Sequence, residues 1–132
     1  MNYDKGNVIE KRGIIFKDTY TPDPKGKRPA MITIAISEDN QYMYYLTLTS
    51  QVDKYFDNPE LKDQFQLIKK TQYNMLQKTS LVNLANIYKD TVSDESPIAY
   101  IQPDEYNKLI RKFKEYQNQH PDEYYDEIKE LL

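Results

Sequence analysis

A basic loop is the first place in this sequence where the residue types suggest chemistry. Lys25, Lys27 and Arg28 surround a glycine, and proline stands on both sides of the group. Loops carried on a rigid sheet are common sites of phosphate contact, and the planar guanidinium of arginine matches two phosphate oxygens. The alternative interpretation is a solvated connection whose lysines protect a strand edge.

Hydroxyl side chains provide the second candidate group. Thr49, Ser50 and Gln51 follow a segment rich in tyrosine and threonine. Hydroxyls at the end of a strand commonly hydrogen-bond to the backbone of the next turn, which is the structural interpretation. They can also orient a scissile phosphate. Cleavage of RNA requires an aligned 2′-hydroxyl, a proton acceptor and stabilisation of the charged phosphorane.

A predicted hairpin brings the two groups together. Segments 29–36 and 42–49 have the β-branched and aromatic composition of strands, and the polar stretch 37–41 is a suitable hairpin connection. Antiparallel pairing places Arg28, near the start of one strand, beside Thr49 at the end of the other. The sequence therefore predicts a guanidinium, two hydroxyls and a glutamine in one cleft, with no obvious acid or histidine to accept a proton.

The remaining segments predict a single α+β domain over residues 1–132, built as a small β-barrel with helices at its connections. Asn58 and Pro59 are a suitable cap and first turn for a helix inserted at about 57–78. Apolar spacing predicts C-terminal helices at about 103–117 and 122–131. Further strands are expected at 13–16, 80–84, 85–88 and 97–101.

Composition excludes several classes of site. The chain has no cysteine and one histidine, so we expect neither a disulfide, a zinc site nor a histidine-based triad. His120 lies in a polar stretch and is interpreted as a linker residue, and the acids from Asp122 to Glu130 as a solvated helix face. We expect no metal and no cofactor. There is no long apolar run and no secretory signal, which favours a cytoplasmic protein without a membrane segment.

Charge and aromatic content bear on nucleic-acid binding. The net charge of −3 is unusual for a nucleic-acid-binding domain, although residues 1–36 are locally basic. The chain has 13 tyrosines, most of which we assign to packing. Tyr20 and Tyr88 are expected to face solvent, where they could stack on unpaired bases.

Several short segments occur in an order that is typical of one family. Their sequences are similar to the motifs of the MazF/PemK toxin endoribonucleases over about residues 11–115. The segments are Lys11-Arg12-Gly13-Ile14-Ile15-Phe16, Gly26-Lys27-Arg28-Pro29-Ala30-Met31-Ile32, Leu48-Thr49-Ser50-Gln51, Ser80-Leu81-Val82-Asn83-Leu84, Asn86-Ile87 and the stretch 101–113.

The resemblance implies an SH3-like barrel that usually dimerises and cleaves single-stranded RNA without a metal. Arg28 and Thr49 would act at the scissile phosphate, and the products would carry a cyclic phosphate and a free 5′-hydroxyl. Lys25, Lys27, Ser50 and Gln51 would assist in holding the substrate. The resemblance also implies a toxin–antitoxin system, so an antitoxin partner is expected.

The chain departs from the family pattern at several positions. Ile14 stands where the family usually has an acid, Tyr88 stands where it usually has an arginine, and residues 52–78 replace a short linker. The insertion and the Thr-Ser pair also resemble the ToxN-like endoribonucleases, whose antitoxin is a small RNA. A non-catalytic interaction module resembling CcdB, or a barrel that has lost its activity, are the other interpretations.

Overall fold

The computed structural model describes residues 5–10, 30–53, 59, 62–92 and 96–132. Its helices are α1 (Pro103–Gln119) and the short α2 (Tyr125–Ile128), and a 3-10 turn occupies Lys62–Gln64. The seven strands are β1 (Asn7–Glu10), β2 (Ala30–Ile36), β3 (Tyr42–Thr49), β4 (Phe65–Ile68), β5 (Ser80–Asn83), β6 (Tyr88–Thr91) and β7 (Ala99–Tyr100).

The described strands form one antiparallel sheet in the order β4-β5-β3-β2-β1-β7, and β6 pairs with β3. The sheet curls into a half-barrel. The α+β class predicted from the sequence is therefore confirmed. Strand β3 pairs with β2 on one edge, while its other edge is divided between β6 at Tyr42–Tyr45 and β5 at Leu48–Thr49.

The predicted hairpin between β2 and β3 is confirmed, and its turn chemistry is visible. The Asp39 carboxylate accepts hydrogen bonds from the Ser37 hydroxyl (2.6 Å) and the Gln41 backbone N–H (3.1 Å). Asn40 adopts a positive φ of 59°, which asparagine tolerates better than most residues. The pairing of Met31 with Thr47 places the start of β2 beside the end of β3.

The two faces of the sheet contribute to different apolar clusters. The main core joins one face to α1, whose Leu109, Ile110 and Phe113 are buried at the spacing expected of an amphipathic helix. On the opposite face, Ile9, Met31, Met43, Tyr45 and Tyr88 form a smaller cluster. Neither described helix is long and apolar enough to cross a membrane.

A polar cluster attaches the C-terminal segment to the sheet. Glu127 accepts hydrogen bonds from the Tyr44 hydroxyl (2.5 Å) and the Lys89 ammonium (3.0 Å). The same ammonium lies 4.6 Å from the ring centre of Tyr42 and 5.7 Å from that of Tyr124, within cation–π range. Tyr125 and Ile128, on the same short helix as Glu127, are buried in the main core. The segment is therefore attached to the sheet by both polar and apolar contacts.

The inserted helix predicted at about 57–78 is wrong over the part of it that the structure describes. Residues 62–68 form the 3-10 turn and β4, and residues 72–74 form a turn. Phe65 and Ile68 have helical spacing, but they are also the two ends of a four-residue strand, and pairing with β5 determines the outcome.

Other predicted elements differ in their bounds or cannot be compared. The strand predicted at 85–88 is wrong over 85–87, because the chain bends after β5 and β6 begins only at Tyr88, and the strand predicted at 97–101 is regular only over Ala99–Tyr100. The helix at 103–117 is present as α1, whereas the helix predicted at 122–131 is regular only over Tyr125–Ile128. Turns flank this shorter helix. The strand predicted at 13–16 lies outside the described residues.

We predict that the free energy of unfolding falls less steeply in acid for the Glu127→Gln variant than for the wild type. The hydrogen bond from Tyr44, and then that from Lys89, hold the Glu127 pKa below its ordinary value of 4.5. The stabilisation is therefore complete above pH 4.5 and is lost as pH falls through the lower pKa of the folded state. Urea unfolding at a series of pH values measures this, with Glu115→Gln on the exposed surface of α1 as control. Equal pH slopes for the two variants would contradict the prediction.

Candidate functional site

A cleft of about 650 Å³ opens where the end of β1, the start of β2 and the end of β3 meet. Its wall is completed by the connection between β4 and β5 and by the approach to β7. Polar and apolar groups contribute about equally to its surface. The lining residues are Val8, Glu10, Ala30, Leu48, Ser50, Met75, Leu76, Gln77, Lys78, Ser80, Ile98 and Ala99.

Strand register places the first group of lining residues. Glu10 pairs with Ala30, and Val8 pairs with Ile32, so these four side chains lie on the same face of the sheet. Leu48 lies on the same face, because it packs with Val8 against the main core. Side chains alternate along a strand, so the next residue of β1 on the same face as Val8 is Glu10. Glu10 is exposed and lines the cleft.

The same alternation separates Thr49 from Ser50. Ser50 lines the cleft with Leu48, whereas Thr49 is not among the lining residues. The Thr49 hydroxyl accepts a hydrogen bond from the Gln51 backbone N–H (3.2 Å), which is the turn-capping contact of the structural interpretation. The structure therefore brings only one of the two predicted hydroxyls into the cleft.

The predicted basic loop lies outside the described residues, and so do Lys25, Lys27, Arg28 and Tyr20. The segment that contains them connects Glu10 to Ala30 in the sequence. These two connected residues are register partners and both line the cleft. Both ends of the segment are therefore bonded to residues that line the cleft.

The expectation that Tyr88 faces solvent is wrong. Only 5% of Tyr88 is exposed, and it packs in the cluster on the opposite face of the sheet. The cause is the pairing of Tyr88 with Tyr45 in β3, which the sequence pattern alone did not predict. Gln51 is exposed beyond the end of β3 but does not line the cleft.

Two charged residues of the cleft were missed at the level of sequence. Glu10 supplies a carboxylate, the group for which the sequence offered no candidate, and Lys78 supplies an ammonium. Glu10 follows two apolar residues in β1, a strand too short to recognise from its pattern. Lys78 was assigned to the end of the helix that the structure replaces with β4 and a turn.

Asn74 stabilises the connection between β4 and β5, which carries Lys78, and its side chain is fully buried. Its side-chain oxygen accepts hydrogen bonds from the Thr71 and Leu76 backbone N–H groups (both 3.1 Å). Its amide nitrogen donates to the Lys69 carbonyl (2.9 Å). One side chain therefore satisfies three backbone groups and fixes the turn before the cleft-lining residues begin.

The connection between β4 and β5, which forms part of this wall, is positively charged. Segment 69–80 contains Lys69, Lys70 and Lys78 and no acid, in a chain whose net charge is −3. All three lysines are exposed. The cleft thus combines one carboxylate, one ammonium and the hydroxyls of Ser50 and Ser80, of which the Ser80 hydroxyl donates to the Lys78 carbonyl (2.9 Å). Such a set is suited to an anionic substrate whose reaction requires a proton acceptor.

No protein-family model matches this chain, and no curated protein matches its sequence. The antiparallel half-barrel is the class of fold that the structure defines. The likeness to the MazF/PemK family rests on the order of the sequence motifs and stays a prediction.

We predict that Asn74→Ala lowers the free energy of unfolding by about 2 kcal/mol, because it leaves buried backbone groups without partners. Chemical denaturation measures the change. The matched control is Thr79→Ala, which removes a single acceptor, that of the Lys70 backbone N–H. The Thr79 variant should lose less than about 1 kcal/mol. If Asn74→Ala lowers the free energy of unfolding no more than Thr79→Ala does, the turn does not depend on the buried amide.

Proposed function

We propose that the chain is an endoribonuclease that cleaves single-stranded RNA by attack of the 2′-hydroxyl on the neighbouring phosphate. The observation that carries the proposal is that Glu10, Ser50 and Lys78 line one open cleft at the end of β3. The carboxylate matches the proton acceptor that this reaction requires, and the ammonium matches the charge that develops on the phosphorane.

In the proposed reaction the Glu10 carboxylate removes the 2′-hydroxyl proton while the 2′-oxygen bonds to phosphorus. The Lys78 ammonium and the Ser50 hydroxyl stabilise the phosphorane through its non-bridging oxygens. The bond from phosphorus to the 5′-oxygen then breaks, and this oxygen takes a proton from water. The products are a 2′,3′-cyclic phosphate and a free 5′-hydroxyl. The nucleophile is part of the substrate, so positioning and charge stabilisation supply the catalysis.

The basic loop completes this proposal. Arg28 stands two positions before the cleft-lining Ala30 in the sequence, and we assign its guanidinium to the same phosphate. Lys25 and Lys27 would contact neighbouring phosphates. Thr49 would shape the turn after β3, because its hydroxyl already accepts the Gln51 N–H.

The order of motifs supports a more detailed version of the proposal. In it, the half-barrel is of the MazF/PemK type, and the chain is the cytoplasmic toxin of a toxin–antitoxin system. It works as a homodimer and without a metal. The antitoxin is a protein in the MazF-like version and a small RNA in the ToxN-like version. Co-purification from a host that carries the neighbouring genes distinguishes these, because the bound antitoxin can be analysed for protein and for RNA.

We predict that the purified chain cleaves a long single-stranded RNA in the presence of a chelator. Glu10→Gln should reduce the rate by about 100-fold or more, as expected for loss of a general base. Arg28→Ala should have an effect of similar size, because it removes charge stabilisation from the phosphorane. Gel analysis and identification of the RNA ends measure both, with Glu115→Gln as the charge-matched control for Glu10→Gln.

Three outcomes bear on this proposal. Intact RNA after incubation with the wild-type chain contradicts the activity. Equal cleavage by Glu10→Gln contradicts the assigned base. Growth inhibition on expression that persists in both the Glu10 and Arg28 variants would instead favour a non-catalytic interaction module.

We predict that Ser50 and Thr49 differ in their importance to the reaction. Ser50→Ala should lower the cleavage rate about tenfold, because it removes a hydrogen bond to the phosphate. Thr49→Val keeps the side-chain shape and should remain within about threefold, because the Thr49 hydroxyl serves the turn. Single-turnover cleavage rates compare the two, and the opposite ranking would return the phosphate contact to Thr49.

A further inference from the structure

Exposed apolar side chains collect beside the cleft. Among the described residues, five large hydrophobic side chains are exposed, and four of them belong to two neighbouring segments. We call these four residues the Tyr73 patch. Its members and their exposed fractions are Tyr73 (69%), Met75 (60%), Ile98 (44%) and Tyr100 (42%).

Hydrogen bonds hold the two segments of the patch against each other. The Tyr100 backbone N–H donates to the Asn74 carbonyl (2.9 Å). The Gln102 side-chain amide donates to the carbonyls of both Tyr73 (2.9 Å) and Tyr100 (3.3 Å). Because Met75 and Ile98 also line the cleft, the patch is continuous with the proposed active site.

The turn that presents the patch is fixed before any partner binds. Asn74, which organises it, lies between the two most exposed members and is itself fully buried. Met75 has a positive φ of 61°, a conformation that residues other than glycine, asparagine and aspartate seldom adopt. A tyrosine carried on such a turn loses little conformational entropy on binding.

Positive charge lies on one of the two segments of the patch, the one that carries Tyr73 and Met75. Lys69 and Lys70 precede Tyr73, Lys78 follows Met75, and segment 69–80 has no acid. The nearest acid with a contact to the turn, Glu105, is half-buried and lies 3.5 Å from the Asn74 amide, so it is directed inward. Exposed aromatic rings among lysines favour a partner that is both anionic and able to stack, which describes an unpaired polynucleotide.

We propose that the Tyr73 patch is the docking surface for the single-stranded RNA substrate, with bases stacked on Tyr73 and Tyr100. Lys69, Lys70 and Lys78 contact its phosphates as the strand passes into the cleft. This inference rests on the proposed function and extends it by assigning the path of the substrate. Stacking tolerates any base, so the patch supplies affinity and leaves the choice of cleavage sequence to the cleft.

The test is a binding measurement on a non-cleavable strand of about 10 nucleotides, a length within the range covered by single-strand-binding domains. A fluorescent oligoribonucleotide with 2′-O-methyl riboses separates binding from catalysis, because its 2′-oxygens cannot be deprotonated. Tyr73→Ala should weaken binding about tenfold, the effect of removing one aromatic ring on which a base stacks. Tyr73→Phe keeps the ring and should remain within about twofold of wild type.

The lysines are tested by salt dependence. Lys69→Glu/Lys70→Glu should weaken binding and make the slope of log affinity against log salt about 1.4 shallower, roughly 0.7 for each single-strand phosphate that is no longer neutralised. The matched control is Lys112→Glu/Lys114→Glu, which changes the net charge equally at two exposed positions of α1. The control should keep the wild-type slope. Circular dichroism and thermal unfolding establish that each variant is folded.

The outcomes separate the docking surface from the reaction. Cleavage by the wild type with unchanged binding by Tyr73→Ala and by the lysine variant overturns the docking surface alone. Absence of wild-type cleavage, with RNA binding that is weakened in these variants, overturns the proposed function and retains the surface. Unchanged RNA affinity together with loss of a dimer in sedimentation, or of a co-purified antitoxin protein, would assign the patch to a protein partner and overturn the proposal.

Discussion

The pairing of β3 is the constraint on which the rest of the structure depends. This strand is hydrogen-bonded to β2 along most of its length. Its other edge pairs with β6 in its first half and with β5 at its end. A strand with three partners cannot slip in register without breaking all three ladders, and a slip of one residue would exchange its two faces. The alternation at its end is therefore fixed, and with it the choice of Ser50 rather than Thr49 for the cleft.

Charge is unevenly distributed over this acidic protein, and the cleft differs from the C-terminal segment in the charged groups that it presents. None of the acids of the C-terminal segment lines the cleft: Glu127 contacts Lys89, and Asp122 accepts hydrogen bonds from the backbone N–H groups of Ile87 and Tyr124. Of the three exposed lysines between β4 and β5, Lys78 lines the cleft. At physiological salt, charges separated by more than about 8 Å are largely screened, so the arrangement of the nearest groups matters more than the net charge.

Local chemistry made part of this fold predictable from sequence. The β2–β3 hairpin followed from two strand-forming segments and a polar turn, and α1 followed from its apolar spacing. Residues 62–78 could not be assigned in the same way, because Phe65 and Ile68 satisfy both a helical and a strand pattern. Pairing with β5 decides between them, and that contact is distant in sequence.

The residues of the candidate site also differ in whether local sequence or distant contacts determine their positions. Ser50 was predicted because it ends a recognisable strand. Glu10 and Lys78 were missed because one ends a four-residue strand and the other belongs to the misassigned segment. The burial of Tyr88 depends on its partner Tyr45, which no local pattern contains. Sequence therefore identified the residues placed by the hairpin, while those placed by long-range pairing required the structure.

The pairing of β1 with β7 has a consequence for the order in which the protein matures. Asn7 meets Tyr100, more than ninety positions later in the chain, and the Lys5 ammonium donates to the Leu131 carbonyl. During synthesis, β1 is made long before the residues that complete its side of the sheet, and contacts between such distant segments form late. Glu10 lies at the end of β1 and Ile98 just before β7, and both residues line the cleft, so its wall is incomplete until both have been made. A nascent chain that ends before these residues consequently lacks part of the cleft wall, and the wall can be completed only after Ala99 has been made.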